Sequence, residues 1–263
     1  MDKIEILKSF IQQNKRVLLW VASIIGVVFL VILFYRVASP IQKLKEWSSL
    51  AEAEGFSIDN VSELDSIQRQ IAFKKSLLTL TGKDSLHMVI NLPDSSIGLF
   101  MNGLIIFKTQ ITSMELDPLL KHLSPQLYGH QFSKGIKADT VRSTIIKEPI
   151  IEKVAPKTQE EFLASVTLPD SVVFEPVYLE FQLSNGIQIQ LEQNEIHGQA
   201  DIKTKRRFYR PNRRDSWMEM LYSVVTLKTP EYKAQVKLEA NQAELTSIYR
   251  ALPAKPKVVI SYY

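Results

Sequence analysis

The stretch VLLWVASIIGVVFLVILFY occupies residues 17–35, between Arg16 and Arg36, and it contains no charged side chain. A helix of this length rises about 28 Å, close to the hydrocarbon thickness of a bilayer, about 30 Å. Only a helix closes all its backbone hydrogen bonds within such a segment. Trp20 and Tyr35 lie near its two ends, where aromatic side chains meet the membrane interfaces. The stretch therefore predicts a transmembrane helix.

A cleaved signal peptide and a buried core helix are the alternatives to a retained anchor. A core helix of this length normally has a polar face, which this stretch lacks. A signal peptide usually has an apolar region of about 7–15 residues and small residues before the cleavage site. Cleavage after Ala38 would place Arg36 at the third position before the cut. The pattern favours a retained anchor.

The basic residues on either side of the stretch favour one orientation. Four Lys or Arg residues precede it within the first sixteen residues, and three lie within the twenty residues that follow. Cytoplasmic flanks carry the excess of Lys and Arg. We therefore expect a single-pass membrane protein with a cytoplasmic N-terminus and a body outside the cytoplasm.

The chain divides into four predicted regions. Pro40 predicts a break in the helix just beyond the span, because proline lacks the backbone N–H donor. Apolar residues at helical spacing then predict two helices, over residues 41–53 and 61–78. The predicted regions are a short N-terminal segment (1–16), a transmembrane helix (17–38), a helical linker (39–82) and an extramembrane domain (83–263).

The extramembrane domain shows the two-residue period of β-strands from residue 86 onward. Apolar residues alternate on both sides of Asn102-Gly103, a pair that supplies the positive φ angles of a type I′ hairpin turn. A second hairpin is predicted around Asn185-Gly186. Polar residues alternate from Glu180 to Glu192, so one face of this hairpin is expected to be in water. The fold class is α+β: a mostly antiparallel sheet with short helices.

Several classes of catalytic and metal site are excluded by composition. The chain has no cysteine, which removes disulfides, thiolate nucleophiles and cysteine-containing zinc sites. It contains none of the common motifs of serine hydrolases, zinc proteases or nucleotide-binding loops. Its four histidines are His87, His122, His130 and His197, and their spacing matches no common set of metal ligands. We predict no catalytic residue, cofactor or metal.

The candidate binding site is a basic stretch over residues 203–214, in which seven of twelve residues are cationic and none is acidic. Arginine donates two parallel hydrogen bonds to carboxylates and phosphates. The stretch therefore predicts contact with an acidic protein surface, on a partner or on this body itself, or with anionic lipid. A solvated loop is the alternative. The residues are Lys203, Lys205, Arg206, Arg207, Arg210, Arg213 and Arg214.

Residues 86–107, LHMVINLPDSSIGLFMNGLIIF, resemble the opening hairpin of YkuD-type L,D-transpeptidase domains. Those enzymes remodel peptide cross-links of the bacterial cell wall, often from a membrane anchor. Their activity needs a nucleophilic cysteine beside a histidine. Since this chain has no cysteine, the resemblance implies a non-catalytic relative.

The leading functional hypothesis is a non-catalytic interaction or structural subunit of a cell-envelope assembly. The expected partners are the lipid bilayer, an envelope protein and an anionic lipid surface. Nucleic acid would suit the arginine-aromatic mixture only if the body were cytosolic. One alternative is a membrane-anchored cell-wall enzyme, such as a hydrolase using Asp94 or Asp170. The other is a binder of anionic lipid or nucleic acid through residues 203–214.

Overall fold

A computed structural model describes residues 15–54, 65–82, 84–147 and 175–262. These residues form two compact units. The first contains the described part of Met1–Trp47 together with Pro211–Tyr232. The second contains the described parts of Ser48–Arg210 and Lys233–Tyr263.

The long N-terminal helix, α1, extends over Lys15–Ala53. It is long and apolar enough to cross a membrane, and none of the described side chains over residues 17–34 is buried. Pro40 lies inside this helix, so the predicted break after the span is wrong. A proline removes one backbone hydrogen bond, and the turns on both sides keep the helix continuous.

The first unit also contains the C-terminal half of helix α5, which extends over Gln199–Thr226. The hydroxyl of Tyr35 donates a hydrogen bond of 3.2 Å to the carbonyl oxygen of Ser223. Tyr35 and Ser223 are 5% and 4% exposed. The hydroxyl of Thr229 donates to the side-chain oxygen of Gln42. These contacts join α5 and the segment after it to the end of the apolar stretch of α1.

The second unit is a closed barrel of eight strands in the order β1-β2-β3-β7-β6-β5-β4-β8. Six neighbouring pairs are antiparallel, whereas β1–β8 and β6–β7 are parallel. The α+β class is confirmed, and closure was not predicted. The strands are β1 (His87–Asn91), β2 (Ser96–Met101), β3 (Leu104–Leu116), β4 (Ile136–Ser143), β5 (Tyr178–Leu183), β6 (Ile187–Gln193), β7 (Ala234–Ala240) and β8 (Lys257–Ser261).

Both predicted hairpins are present. Asn102 and Gly103 have φ angles of 49° and 91°, as a type I′ turn between β2 and β3 requires. At the second hairpin, Gly186 has a φ of 84°, and its N–H donates to the carbonyl oxygen of Leu183 at 3.0 Å. This three-residue connection joins β5 to β6.

Apolar residues at alternate strand positions form the core inside the barrel. Ile187, Ile189 and Leu191 of β6 are all fully buried, and Leu179 and Phe181 of β5 pair with them across the sheet. Helix α2 (Asp65–Leu78) packs on the other face of β1, β2 and β8. The other helices within the described residues are α3 (Pro118–Lys121), α4 (Pro125–Phe132) and α6 (Gln242–Ala251). At 28 residues, α5 is longer than the short helices predicted.

Candidate functional site

The first turns of α5 lie on the outer face of the barrel formed by β4, β5 and β6. The ring of Tyr178 lies 6.5 Å from that of Phe208 and 6.3 Å from that of Tyr209, measured between centroids. Arg142 of β4 donates a hydrogen bond of 3.0 Å to the carbonyl oxygen of Phe208. Its guanidinium also lies 5.1 Å from the centre of the Phe208 ring. Aromatic and cationic contacts therefore hold the helix against the strands.

A buried aspartate fixes the start of α5. Asp201 is 6% exposed, and one of its carboxylate oxygens accepts two hydrogen bonds. The donors are the side-chain nitrogen of Gln193 at 3.1 Å and the backbone N–H of His197 at 2.7 Å. Because Asp201 lies in the first turn, its negative charge also suits the positive end of the helix dipole. The helix is thus fixed to the end of β6 before the basic stretch begins.

The polar face of the second hairpin is buried, and the expectation that it lies in water is wrong. Glu180 and Glu192 are 6% and 2% exposed. The Nζ atoms of Lys205 and Lys237 lie 2.5 Å and 3.6 Å from a carboxylate oxygen of Glu192. Arg142 lies 3.7 Å from Glu180. Helix α5 covers this face, and cations from the helix and from neighbouring strands compensate the buried carboxylates.

Two tyrosines in this cluster have perturbed acidity. Burial raises the pKa of Tyr178 to about 12, and the carboxylates of Asp201 and Glu192 add to the increase. Burial also raises the pKa of Tyr209 well above its usual range, with Glu192 as the next cause. A phenolate here would add a negative charge beside a buried carboxylate, so both phenols stay protonated.

Four cations of the basic stretch form the outer face of the same helical turns. Lys203, Arg206, Arg207 and Arg210 are all exposed. Their spacing of i, i+3, i+4 and i+7 places them on one side of a helix. No ion pair to an acidic side chain involves any of the four within the described part of the chain. We call these four residues the cationic face.

The seven predicted contact residues are divided between the two units. Lys205 points toward the barrel, where its Nζ lies 2.5 Å from a carboxylate oxygen of the buried Glu192. Arg213 and Arg214 belong to the other unit, where Arg214 lies 3.7 Å from Asp215. The stretch is helical rather than a loop. The cationic face is the exposed part of the stretch that lies in the same unit as the barrel.

The histidines are dispersed. Nε2 of His87 lies 3.1 Å from the hydroxyl of Ser85, and Nε2 of His130 lies 3.3 Å from the carboxylate of Glu54. Within residues 15–54, 65–82, 84–147 and 175–262, no group of three or more His, Asp or Glu side chains could hold a metal ion.

The carboxylates suggested for a hydrolase are not brought together by the described structure. Asp94 is exposed in the turn between β1 and β2, where it accepts a hydrogen bond of 2.6 Å from the side chain of Asn91. Asp170 lies outside the described residues. An open cleft of about 510 Å³ lies elsewhere, beside the start of α6, and Glu175, His197 and Arg250 are among its lining residues.

The cationic face can bind an anionic surface through several charge-assisted hydrogen bonds at once. Its like charges lie one helical turn apart, which is unfavourable for the isolated helix and is relieved when an anion binds. Sequence reasoning found these residues but not their division into an inner and an outer set.

Comparisons of the chain with models of protein families, with curated protein sequences and with solved structures gave no match.

Proposed function

We propose that this chain is a single-pass membrane protein that acts as a non-catalytic interaction or structural subunit of a cell-envelope assembly. The barrel presents the cationic face to an anionic surface of an envelope protein. The body lies outside the cytoplasm, on the side opposite the more basic N-terminal flank. The resemblance of residues 86–107 to transpeptidase hairpins, without the cysteine, fits a relative that has no transpeptidase activity.

The exposed apolar surface of α1 supports the anchor. Residues 17–34 include Trp20, Phe29 and Phe34, which are 73%, 59% and 66% exposed. In water, apolar area on this scale would drive aggregation, whereas in a bilayer it is solvated by lipid chains. A helix long enough to cross satisfies its own backbone groups there.

The single observation that carries the interaction is the cationic face. Contacts of the half-buried Phe208 and Tyr209 rings with Tyr178 hold the helix against the barrel, so the helix backbone that carries the outer cations is fixed there. Lys205 is used for the internal ion pair, while the four outer cations make none to the described acidic side chains. Because the guanidinium group is planar and pre-organised, Arg206, Arg207 and Arg210 lose less side-chain entropy for each hydrogen bond they form with a carboxylate.

The test compares two variants of the full chain with equal changes of net charge. The first replaces Lys203, Arg206, Arg207 and Arg210 with glutamine. The control replaces four exposed lysines of the same unit with glutamine, namely Lys74, Lys108, Lys121 and Lys255. Proteins that co-purify with each variant after detergent extraction are quantified by mass spectrometry against the wild type.

We expect the amount of co-purifying envelope proteins to fall at least several-fold for the first variant and to stay at the wild-type level for the control. Rising salt should weaken the wild-type association, because screening shortens the range of the attraction. Equal recovery of partners with both variants would remove the cationic face from the proposal. Binding of both variants to anionic vesicles is measured in parallel. Loss of vesicle binding by the first variant alone, with its protein partners unchanged, would favour the lipid-binding alternative.

A further inference from the structure

The C-terminal half of α5 exposes a second apolar surface, which the proposed function does not use. Five of its residues lie at i, i+1, i+4, i+5 and i+8, a spacing that places them on one side of a helix. Their exposed fractions range from 50% to 82%. We call them the apolar face of α5, and they are Trp217, Met218, Leu221, Tyr222 and Val225.

This face belongs to the same unit as the apolar stretch of α1. The hydrogen bond from Tyr35 to Ser223 joins the two helices at the last residue of the uncharged stretch. The Thr229–Gln42 hydrogen bond lies further along both segments, beyond that end. If α1 crosses a bilayer, the contact at Tyr35 is at the level of the headgroups, where a transmembrane helix leaves the hydrocarbon.

The composition of the segment fits that level. Tryptophan and tyrosine concentrate at membrane interfaces because one part of the ring system is apolar and the other is polar. Arg213 and Arg214 precede the apolar face, and Lys228 follows it. Long basic side chains at the ends of an interfacial helix reach the phosphate layer, and they favour anionic lipid.

We propose that the apolar face of α5 lies in the bilayer, at the boundary between headgroups and acyl chains, beside the exit of α1. The protein then has two membrane contacts: one helix that crosses and one that lies in the interface. This proposal rests on the membrane anchor of the proposed function. It commits to lipid as the occupant because the Tyr35–Ser223 hydrogen bond places this half of α5 beside the exposed apolar stretch of α1, within one unit.

The absence of cysteine allows a direct test with single-cysteine variants of the full chain in lipid vesicles. A spin label is attached at Leu221→Cys or Val225→Cys on the apolar face. Ser216→Cys, on the opposite side of the same helix, is the matched control. Ile24→Cys in the span and Lys255→Cys, at an exposed position outside the cationic face, give the references for lipid and water. The measured quantity is the ratio of relaxation by oxygen to relaxation by a water-soluble nickel chelate.

We expect the ratio at positions 221 and 225 to exceed the ratio at positions 255 and 216 several-fold and to approach that at position 24. Ratios at 221 and 225 equal to the water reference, with position 24 in lipid, would overturn this inference and leave the anchor in place. A water-like ratio at position 24 would instead overturn the anchor itself. Dipolar broadening at 221 and 225 would place a second copy on the face and would also overturn the inference.

Discussion

The phenol of Tyr209, a residue of α5, lies between this helix and the barrel, near Tyr178 and the buried carboxylate of Glu192. Below about pH 10 a tyrosine is neutral in both the folded and the unfolded chain. Above that pH the unfolded chain loses the proton, whereas the folded chain retains it because burial and Glu192 raise the pKa. The folded state then holds more protons than the unfolded state. The free energy of unfolding therefore falls as pH rises.

We predict that Tyr209→Phe makes stability less sensitive to alkaline pH. Each such tyrosine contributes a slope of up to about 1.4 kcal/mol per pH unit above its unfolded pKa, and the variant loses one of these contributions. The measurement is the free energy of unfolding by guanidinium, from pH 9 to 11.5 in steps of roughly half a unit. The two proteins differ by one hydroxyl group only, so the difference between their curves reports the contribution of Tyr209. Parallel curves for wild type and variant would contradict the prediction.

Single residues show why the polar face of the second hairpin could not be assigned from sequence. Alternation identifies which strand residues share a face, and Glu180 and Glu192 do share one. It does not identify what covers that face. The covering residues Lys205 and Phe208 come from a helix that follows β6, and their own spacing also fits a solvated helix. Burial depended on a tertiary contact that neither local pattern contains.

At the scale of elements, the sequence predicted the hairpin turns correctly, but it predicted the ends of the long helices less accurately. Asn102-Gly103 and Asn185-Gly186 each form the expected hairpin, because a positive φ is a local requirement that few residues meet. Pro40 and Pro211 both lie inside long helices. Proline disfavours a helix locally, but neighbouring turns and packing can outweigh that cost.

Replacing either of two glycines with alanine is predicted to change stability, in opposite directions at the two positions. A Cβ atom at Gly98 in β2 would lie 2.9 Å from the carbonyl oxygen of Phe107 and 3.2 Å from a methyl group of Ile105. A Cβ atom at Gly129 in α4 would meet nothing within 4 Å. We predict that Gly98→Ala destabilises the barrel by about 1–3 kcal/mol, because strand β3 must move. Gly129→Ala should stabilise the protein by up to about 1 kcal/mol through helix propensity.

Chemical denaturation of both glycine variants, followed by tertiary circular dichroism, measures these changes. Gly129→Ala serves as the matched control, since it adds the same methyl group where space is open. Equal stability of the two variants would show that β2 and β3 do not approach as closely as the contact at Gly98 requires.

At the scale of the whole second unit, closure of the barrel depends on strand β8. It pairs in parallel with β1 and antiparallel with β4, so it joins the two strands that would otherwise be edges. The hydroxyl of Tyr128 in α4 donates to the carbonyl oxygen of Ile260 at 3.0 Å. Closure was not predictable from sequence, because strands far apart in the chain have no local signal for pairing.

We predict that a chain ending at Pro256, which lacks β8, loses cooperative unfolding of the barrel. Removing β8 exposes unpaired backbone groups of β1 and β4, and it removes Val258, Val259 and Ile260 from the core. Limited proteolysis should cut residues 84–147 much faster than in a control chain ending at Tyr262. Both chains should stay in the membrane fraction after an alkaline wash, because α1 is unchanged. Equal protease resistance of the two chains would mean that the barrel stays folded as an open sheet.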